Sequence, residues 1–165
     1  MAPRTRIGRN EPEHRPWPLS ERPGFLIRRM HQIHVALFHE ACGKFDITTV
    51  QYSLLSALAE RGMADQTTLA ADVCLDRTTT TGALKRLAAR RLVERAVDSQ
   101  DRRARACRLT SEGARLLAEM ETSARSAHRK TLDHLTKPEQ KLLIAFMQKI
   151  VATNADRNEV VARLG

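Results

Sequence analysis

A pair of short helical segments with a strand–turn–strand pattern directly after them constrains the fold of this chain most strongly. Asp65 and Asp76 are favourable N-caps, and each precedes a stretch of helical periodicity, which predicts helices over 66–73 and 77–90. The apolar residues expected to face inward on these two helices are Leu69, Val73, Ala83, Leu84 and Leu87. Two short helices joined by a tight turn, the second one basic and rich in hydroxyl groups, are typical of a helix-turn-helix motif.

A β-hairpin is predicted immediately after the second of these helices. Residues 92–97 and 104–109 alternate between apolar and polar side chains, and the charged segment 98–103 separates them. A hairpin in this position is a wing. The predicted fold class is therefore mainly α with a small β-hairpin wing, with a winged helix-turn-helix lobe over 48–110.

Two helical segments precede this motif. Residues 24–42 carry apolar side chains at helical spacing, and Gly43 is a natural stop. A second helix follows, with either Thr48 or Thr49 as its N-cap, and Gly62 is predicted to end it.

Two more helices close the chain. Thr110 is the predicted cap of a long helix that runs to about His134, and Thr136 forms a capping box with Glu139 at the start of the last one. The apolar stripe of that last helix consists of Leu142, Leu143, Phe146, Met147, Ile150 and Val151. A stripe this wide on a terminal helix needs a partner, which is the first helix, a second subunit, or both.

Positive charge is concentrated in the predicted helix-turn-helix and wing. The 165-residue chain has a formal net charge of +9, and residues 77–108 hold ten Lys or Arg against three acidic residues. Such an excess suits a polyanion, although on charge alone a solvated basic surface explains it equally well. Residues 1–22 are predicted to be a mobile basic tail, either touching DNA phosphates or a neighbouring subunit, or inert.

Several function classes lack their sequence signals. The three cysteines, Cys42, Cys74 and Cys107, have no metal-ligand spacing and indicate a reducing compartment. There is no long apolar run and no signal peptide pattern, so a cytoplasmic location is expected. We find no phosphate-binding glycine loop, nucleophile elbow or metal-hydrolase motif, and we expect no enzymatic activity, cofactor or metal.

The order of these elements resembles that of the MarR family (multiple antibiotic resistance regulators) over roughly residues 25–154. The most specific matching segments are 76–81, Leu84, Leu87, 91–95, Asp98, 101–105 and 109–113. The resemblance implies an obligate-type homodimer in which the N- and C-terminal helices, 23–47 and 111–158, form the interface. It also implies a transcriptional regulator, most often a repressor, that binds a palindromic operator and is released by a small ligand.

Ten residues are predicted to contact double-stranded DNA. The threonines near the start of the second motif helix suit base edges, thymine methyl groups or phosphates, since a run of β-branched residues is a poor helix former. Arginines of the wing suit a narrow minor groove, although one of them alternatively pairs with Asp98 or Asp101. The residues of the first motif helix suit phosphates through its N-terminus. The ten are Gln66, Thr67, Thr78, Thr79, Thr80, Lys85, Arg86, Arg102, Arg103 and Arg105.

The resemblance implies an effector site between the dimer-forming helices and the DNA-binding lobe, lined by the first helix, the second helix and the start of the fifth. The candidate ligand-binding residues are Ile27, Arg28, Arg29, His31, His34, Phe38 and Tyr52. Arginine and histidine beside aromatic and aliphatic surface suit an aromatic acid or its CoA thioester. Equally, His31 and His34 are explained as half-buried polar residues at a dimer seam.

Other functions remain open at this point. One is an architectural protein that coats DNA of any sequence. Two more are regulators of the same fold that respond to zinc, through His31, His34 and His39 with Glu40, or to oxidation of Cys42. A protein-interaction module is disfavoured by the basic wing.

Overall fold

A computed structural model describes residues 17–97 and 105–154 of the chain. Its helices are α1 (Pro23–Cys42), α2 (Thr49–Arg61), α3 (Gln66–Asp72), α4 (Arg77–Ala89), α5 (Ser111–Lys130) and α6 (Lys137–Thr153). Its strands are β1 (Met63–Asp65), β2 (Val93–Val97) and β3 (Arg105–Leu109). Short 3-10 helices precede and follow α1 at Leu19–Glu21 and Gly43–Phe45. The predicted winged helix-turn-helix is thereby confirmed.

The helices begin where their capping residues predict. Thr48, rather than Thr49, caps α2, because its hydroxyl accepts a hydrogen bond from the Gln51 N–H at 3.2 Å while the Gln51 side chain accepts from the Thr48 N–H at 2.9 Å. Thr110 accepts from the Gly113 N–H at 3.0 Å and so starts α5. Thr136 and Glu139 form the predicted capping box of α6.

The sheet has a third strand that the sequence did not predict. β3 lies in the middle, with β1 and β2 antiparallel on either side of it. Cys107 of β3 is opposite Ala64 of β1 and Arg95 of β2. The base of the wing is therefore attached to the segment that joins α2 to α3.

The core lies in the winged helix lobe and extends between α1 and α5. Its largest fully buried apolar residues are Leu54, Leu55, Leu58, Leu69, Leu87 and Met120. Phe38 and Cys42 of α1 are also buried, as are Ala124 and Ala127 of α5. The core fixes the orientation of α4 and the strands and leaves the outer side of α4 in solvent.

Two predicted boundaries need correction. The expected tail ends before residue 22, because Leu19–Glu21 form a 3-10 helix and the Arg22 side chain donates to the Trp17 carbonyl at 2.8 Å. The predicted stop at Gly43 is right, because α1 ends at Cys42, although Gly43 has a right-handed φ of −55° and the left-handed turn residue is Asp46 at +52°. Helix α5 ends at Lys130, four residues before His134. Residues 1–16 of the predicted tail lie outside the described residues.

Much of the apolar surface of α1 and α6 is exposed in the single chain. Helix α6 has no buried residue, and Phe146, Ile150 and Val151 are 58%, 62% and 60% exposed. On α1, Leu26 and Ile33 are also about half exposed. None of the helices in the described residues is both long and apolar enough to span a membrane.

Candidate nucleic-acid interface and effector site

Helix α4 presents one side to the core and the opposite side to solvent. Its buried residues are Thr80, Ala83, Leu84 and Leu87. Helical periodicity places Thr78, Gly82, Lys85 and Ala89 on the opposite side, which we call the outer face of α4. Thr78, Lys85 and Ala89 are exposed and Gly82 is part-exposed. The outer face is thus a short, polar and positively charged surface.

The four consecutive threonines have different environments, and one prediction among them is wrong. Thr80 is fully buried and its hydroxyl donates to the Asp76 carbonyl at 2.9 Å, so Thr80 cannot contact DNA. The Thr79 hydroxyl donates to the Asp76 carboxylate at 2.6 Å, and Thr81 donates to the Arg77 carbonyl at 2.7 Å. Thr78 and Thr79 remain exposed, as predicted for DNA contact.

Asp76 is the N-cap of α4 and is hydrogen-bonded to Thr79. The Thr79 hydroxyl and the Thr79 backbone N–H both donate to its carboxylate, and they lower the pKa of Asp76. The first turn of α4 is therefore held by an ionised side chain. The Thr78 side chain therefore projects from a turn whose backbone is held in place.

The start of α3 is capped from within the chain. The Asp65 carboxylate accepts from the Thr67 and Thr68 N–H groups at 2.7 and 3.0 Å, and these bonds lower the pKa of Asp65 despite its partial burial. The predicted phosphate contact through this helix N-terminus is therefore better assigned to the exposed Thr67 side chain. Gln66 donates to the Thr81 hydroxyl and, at 3.4 Å, to the Arg77 carbonyl, so it joins α3 to α4.

A groove of about 620 Å³ lies between α3, α4 and the strands. Its charged lining consists of three cationic side chains, Arg77 and Lys85 from α4 and Arg95 from β2, and two acidic ones, Asp65 and Glu94. Sequence reasoning included Lys85 but missed Arg77, Arg95 and Thr81, although the alternation of β2 could have placed Arg95 on one side of the sheet. By contrast, Arg108 is paired with Glu94 at 2.7 Å across β2 and β3.

The other basic residues of this region are either exposed to solvent or bonded to neighbouring segments of the chain. Arg86 is exposed beside Lys85, with its guanidinium near Gly82. Arg90 donates to the Asp46 and Phe45 carbonyls and thereby ties the end of α4 to the turn after α1. Arg102 and Arg103 at the wing tip, with Asp98 and Asp101, lie outside the described residues, as does the side chain of Arg105. The backbone of Arg105 pairs with Val97.

Three of the predicted effector residues meet between α1, α2 and α5. Phe38 is buried, and its ring centroid lies 5.4 Å from that of Tyr52 and 6.3 Å from that of His34. His34 stacks on His128 of α5 with centroids 4.7 Å apart. The three helices therefore meet along a line of aromatic and imidazole rings.

His34 is held in its neutral form. Its Nδ1 lies 2.9 Å from the Thr131 hydroxyl, which donates its own proton to the Ala127 carbonyl, so Nδ1 carries the proton of this bond. Burial, then the charges of His128 and His31, lower the pKa of His34. Burial chiefly raises the pKa of Tyr52, and Glu121 adds to this. Both rings are therefore uncharged, and the His34 Nδ1 atom is already bonded to Thr131.

The other predicted effector residues lie further along α1. Arg28 and Arg29 line an open recess of about 520 Å³ with Leu19, Phe25 and Gln32. Ile27 and His31 are exposed, Ile27 to 66%. The structure therefore separates the predicted set into an aromatic group and a basic group.

Zinc- and thiol-based sensing gain no support from the described part of the chain. Within it, no three His, Cys, Asp or Glu residues are grouped as metal ligands. Cys42 is fully buried, and burial raises the pKa of its thiol, which disfavours the reactive thiolate. Burial also raises the pKa of Cys107.

Comparison with known proteins gives a consistent family. The MarR family model matches residues 47–104. The HTH-type transcriptional repressor NicR of Pseudomonas putida is 31% identical over 87% of this chain and 89% of its own length. Among solved structures, BpsR of Bordetella bronchiseptica, studied for regulation of its DNA binding by 6-hydroxynicotinic acid, has a TM-score of 0.77 at 30% identity, covering 82% of this chain and 96% of its own.

A second solved structure carries a ligand. PcaV of Streptomyces coelicolor in complex with its natural ligand has a TM-score of 0.73 at 29% identity, and the alignment covers 83% of this chain and 96% of PcaV. The structural neighbours are winged helix regulators that form dimers.

Proposed function

This chain belongs to the MarR family of transcriptional regulators, and from that premise we propose that it is a ligand-responsive repressor. As a homodimer, it binds a palindromic operator and is released by a small aromatic acid. The observation that carries the proposal is the basic and hydroxyl-bearing outer face of α4, held rigidly by the core beside a groove with three cationic side chains.

The dimer is supported by apolar surface that the single chain does not cover. The exposed large apolar residues of α6 are Leu142, Ile144, Phe146, Met147, Ile150 and Val151. Those of α1 include Leu26, Ile27 and Ile33. Exposed large apolar side chains in this number are typical of a permanent interface, and the two-fold axis of a dimer matches the symmetry of a palindromic operator.

On DNA, α4 enters the major groove with its outer face toward the bases. Thr78 and Thr79 contact base edges or thymine methyl groups, and Lys85 and Arg86 contact phosphate or guanine. The groove between α4 and the strands receives the sugar–phosphate backbone that separates the major groove from the minor groove, with Arg77 and Arg95 as phosphate partners. Arg102 or Arg103 at the wing tip enters the minor groove beyond it.

The effector is an aromatic acid, free or as its CoA thioester. His34 and Tyr52 supply part-buried rings and neutral hydrogen-bonding groups there, and the buried Phe38 supports them from the core instead of contacting the effector as predicted. Arg28 and Arg29 supply positive charge on the same helix for a carboxylate or for CoA phosphates. The response of BpsR to 6-hydroxynicotinic acid supports an aromatic carboxylate as the class.

Fluorescence anisotropy tests the DNA part of the proposal. The labelled probe is a duplex from upstream of the protein's own gene, and a scrambled duplex of the same composition is the control. We expect binding to the native duplex at least 100-fold tighter than to the scrambled one, within the usual range of specific DNA binding. Equal binding to both would instead show an architectural protein.

The wing is tested in the same assay. Arg102→Ala combined with Arg103→Ala is expected to weaken operator binding about 10-fold or more and to flatten its dependence on salt, because cationic contacts to DNA are lost. Lys141→Ala combined with Lys149→Ala removes the same charge from α6 and should leave binding unchanged. Unaltered affinity of the wing variant would remove the wing from the DNA-binding surface.

The effector part is tested by adding 6-hydroxynicotinic acid, benzoic acid or benzoyl-CoA to the protein–operator complex. At least one of these is expected to release the DNA. Phe38 is buried in the core, so the test variants are His34→Gln and Arg28→Ala, which should lower sensitivity to the effector without abolishing operator binding. If all three compounds and close analogues left the complex intact, the aromatic acid class would be wrong while the DNA-binding result stood.

A further inference from the structure

Gly82 lies in the middle of α4, where the fold gives no reason for glycine. Glycine is the least favourable helix residue after proline, because it loses the most backbone freedom when it is fixed in a helix. Gly82 has no left-handed backbone angle, since Gly62 is the glycine with positive φ among the described residues. The backbone conformation at this position therefore does not explain why α4 contains a glycine that lowers its stability.

The surroundings of Gly82 do not exclude a side chain either. A Cβ built on Gly82 would meet the Arg86 Nη1 atom at 3.6 Å, an ordinary van der Waals distance to the end of a flexible side chain. Gly113 shows the contrast, because a Cβ there would lie 2.9 Å from the Leu92 carbonyl carbon and closer still to its oxygen. The chain itself thus requires glycine at position 113 but not at 82.

The position of Gly82 within α4 indicates what requires it. Gly82 lies between Thr78 and Lys85 on the outer face, opposite the buried Ala83, Leu84 and Leu87. Thr78 precedes it by one turn and Lys85 follows it by about one turn. Gly82 is therefore at the centre of the surface that faces the bases when α4 lies in the major groove.

We infer that Gly82 is the point of closest approach between α4 and the floor of the major groove, where the bare backbone lies against base edges. The inference rests on the proposed function of operator binding. A side chain at position 82 would hold α4 away from the bases, and Thr78 and Thr79 would lose their contacts. Phosphate contacts by the flanking arginines and lysine would be affected less, because these side chains are long and flexible. Gly82 is thus a specificity-determining residue.

The test compares Gly82→Ala and Gly82→Leu with the wild type. Alanine and leucine have nearly the same helix propensity, so a difference between the two variants reports side-chain size and not helix stiffness. We expect operator affinity to fall about 10-fold for Gly82→Ala and about 100-fold for Gly82→Leu, with binding to scrambled DNA within about 3-fold of wild type. The salt dependence should be unchanged, because no charge is lost.

Gly24→Ala is the matched control, since Gly24 is also helical and a Cβ there would meet nothing within 4 Å. It should leave operator binding unchanged. Both Gly82→Ala and Gly24→Ala are expected to raise Tm, and a lower Tm for Gly82→Ala would show that the fold does need this glycine. Equal losses for alanine and leucine, equal losses on both duplexes, or no loss would each overturn the inference. If the wild type itself prefers no duplex, the proposed function fails, and the inference falls with it.

Discussion

At the scale of single residues, Gly113 is where α5 and the wing meet most closely. Thr110 donates its N–H to the Leu92 carbonyl at 3.1 Å and its hydroxyl to the Arg91 carbonyl at 2.7 Å, which draws the first turn of α5 onto the start of β2. Gly113 follows on that turn, and a Cβ there would overlap the Leu92 carbonyl. The first turn of α5 thus packs directly against the backbone that leads into β2.

Gly113→Ala is expected to lower the free energy of unfolding by about 1–3 kcal/mol, the usual cost of forcing an extra methyl group into a packed site. Urea denaturation of the variant and of Gly24→Ala, which has open space around it, measures the difference. A Gly113→Ala protein as stable as wild type would mean that α5 and β2 are less closely packed than described.

Cys74 is the reverse case of Gly113, because it carries a side chain at a position where the backbone favours glycine. Its φ is +53°, and the Leu75 N–H donates to the Ala70 carbonyl at 2.9 Å, which is the pattern of a Schellman C-cap after α3. Cys74→Gly should raise the free energy of unfolding by about 0.5–1 kcal/mol, since it relieves a left-handed conformation that costs L-residues energy. Thermal unfolding checks this, and a lowered Tm would contradict it.

The residue scale also shows where sequence reasoning succeeds and fails. Asp65, Asp76 and Thr110 were predicted as N-caps because capping depends on a few neighbouring atoms. Thr80 was wrongly predicted as a DNA contact, because four identical residues give no indication of which one the core will cover. Burial of a helix position depends on packing against other elements.

At the scale of elements, α1 and α5 are joined by a polar contact inside an apolar interface. His34 of α1 bonds to Thr131 just after α5 and stacks on His128. The charged groups that face His34 are His31 on its own helix and His128 on α5. Protonation of His34 would place a positive charge in a half-buried site beside two histidines, and its Nδ1–H bond to Thr131 would not compensate.

Stability should therefore fall in acid through His34. Its folded pKa lies below the ordinary value near 6.5, so around pH 6 the unfolded chain binds more protons than the folded chain. The contribution of His34 is fully present above about pH 7 and is lost as the pH falls from there through the folded pKa. Urea midpoints at pH 7.5 and 5.5 should differ more for the wild type than for His34→Gln. An equal difference in the two proteins would exclude this role for His34.

Element by element, the predicted order of helices and wing is confirmed, and β1 is the element that was missed. All six helices show periodicity in their own sequence and five carry N-capping residues, whereas α1 begins at Pro23 without a side-chain cap. Strand β1 has three residues, too few to show alternation, and exists because β3 pairs with it from more than 40 residues away. The predicted effector residues fall into two groups for a similar reason. They were predicted mainly from one face of α1, but the neighbours of that face come from other elements: the end of α5 lies beside His34, and the first 3-10 helix lies beside Arg28 and Arg29.

At the scale of the whole molecule, the apolar side of α6 connects stability, symmetry and DNA binding. Nothing within the described chain buries any α6 residue, and the sequence already indicated that this stripe needs a partner. A single winged helix lobe, with one α4 and one wing, contacts only one major groove and the minor groove beside it. Under the proposed function, specificity for a palindrome comes from the distance and angle that the dimer imposes on two copies of α4.

Ile150→Glu combined with Phe146→Glu places two charges in this surface and is expected to convert the dimer to a monomer, because unpaired charges would be buried in the interface. Analytical ultracentrifugation at micromolar concentration measures the change. Gln148→Glu, at an exposed polar position of the same helix, should remain dimeric. The monomer should bind the full operator at least 10-fold more weakly than the wild type yet bind a single half-site equally well, because each winged helix lobe is intact and only the linkage between two sites is lost. A dimeric double variant would place the interface elsewhere, and a monomer with unchanged operator affinity would show that the two copies of α4 act independently.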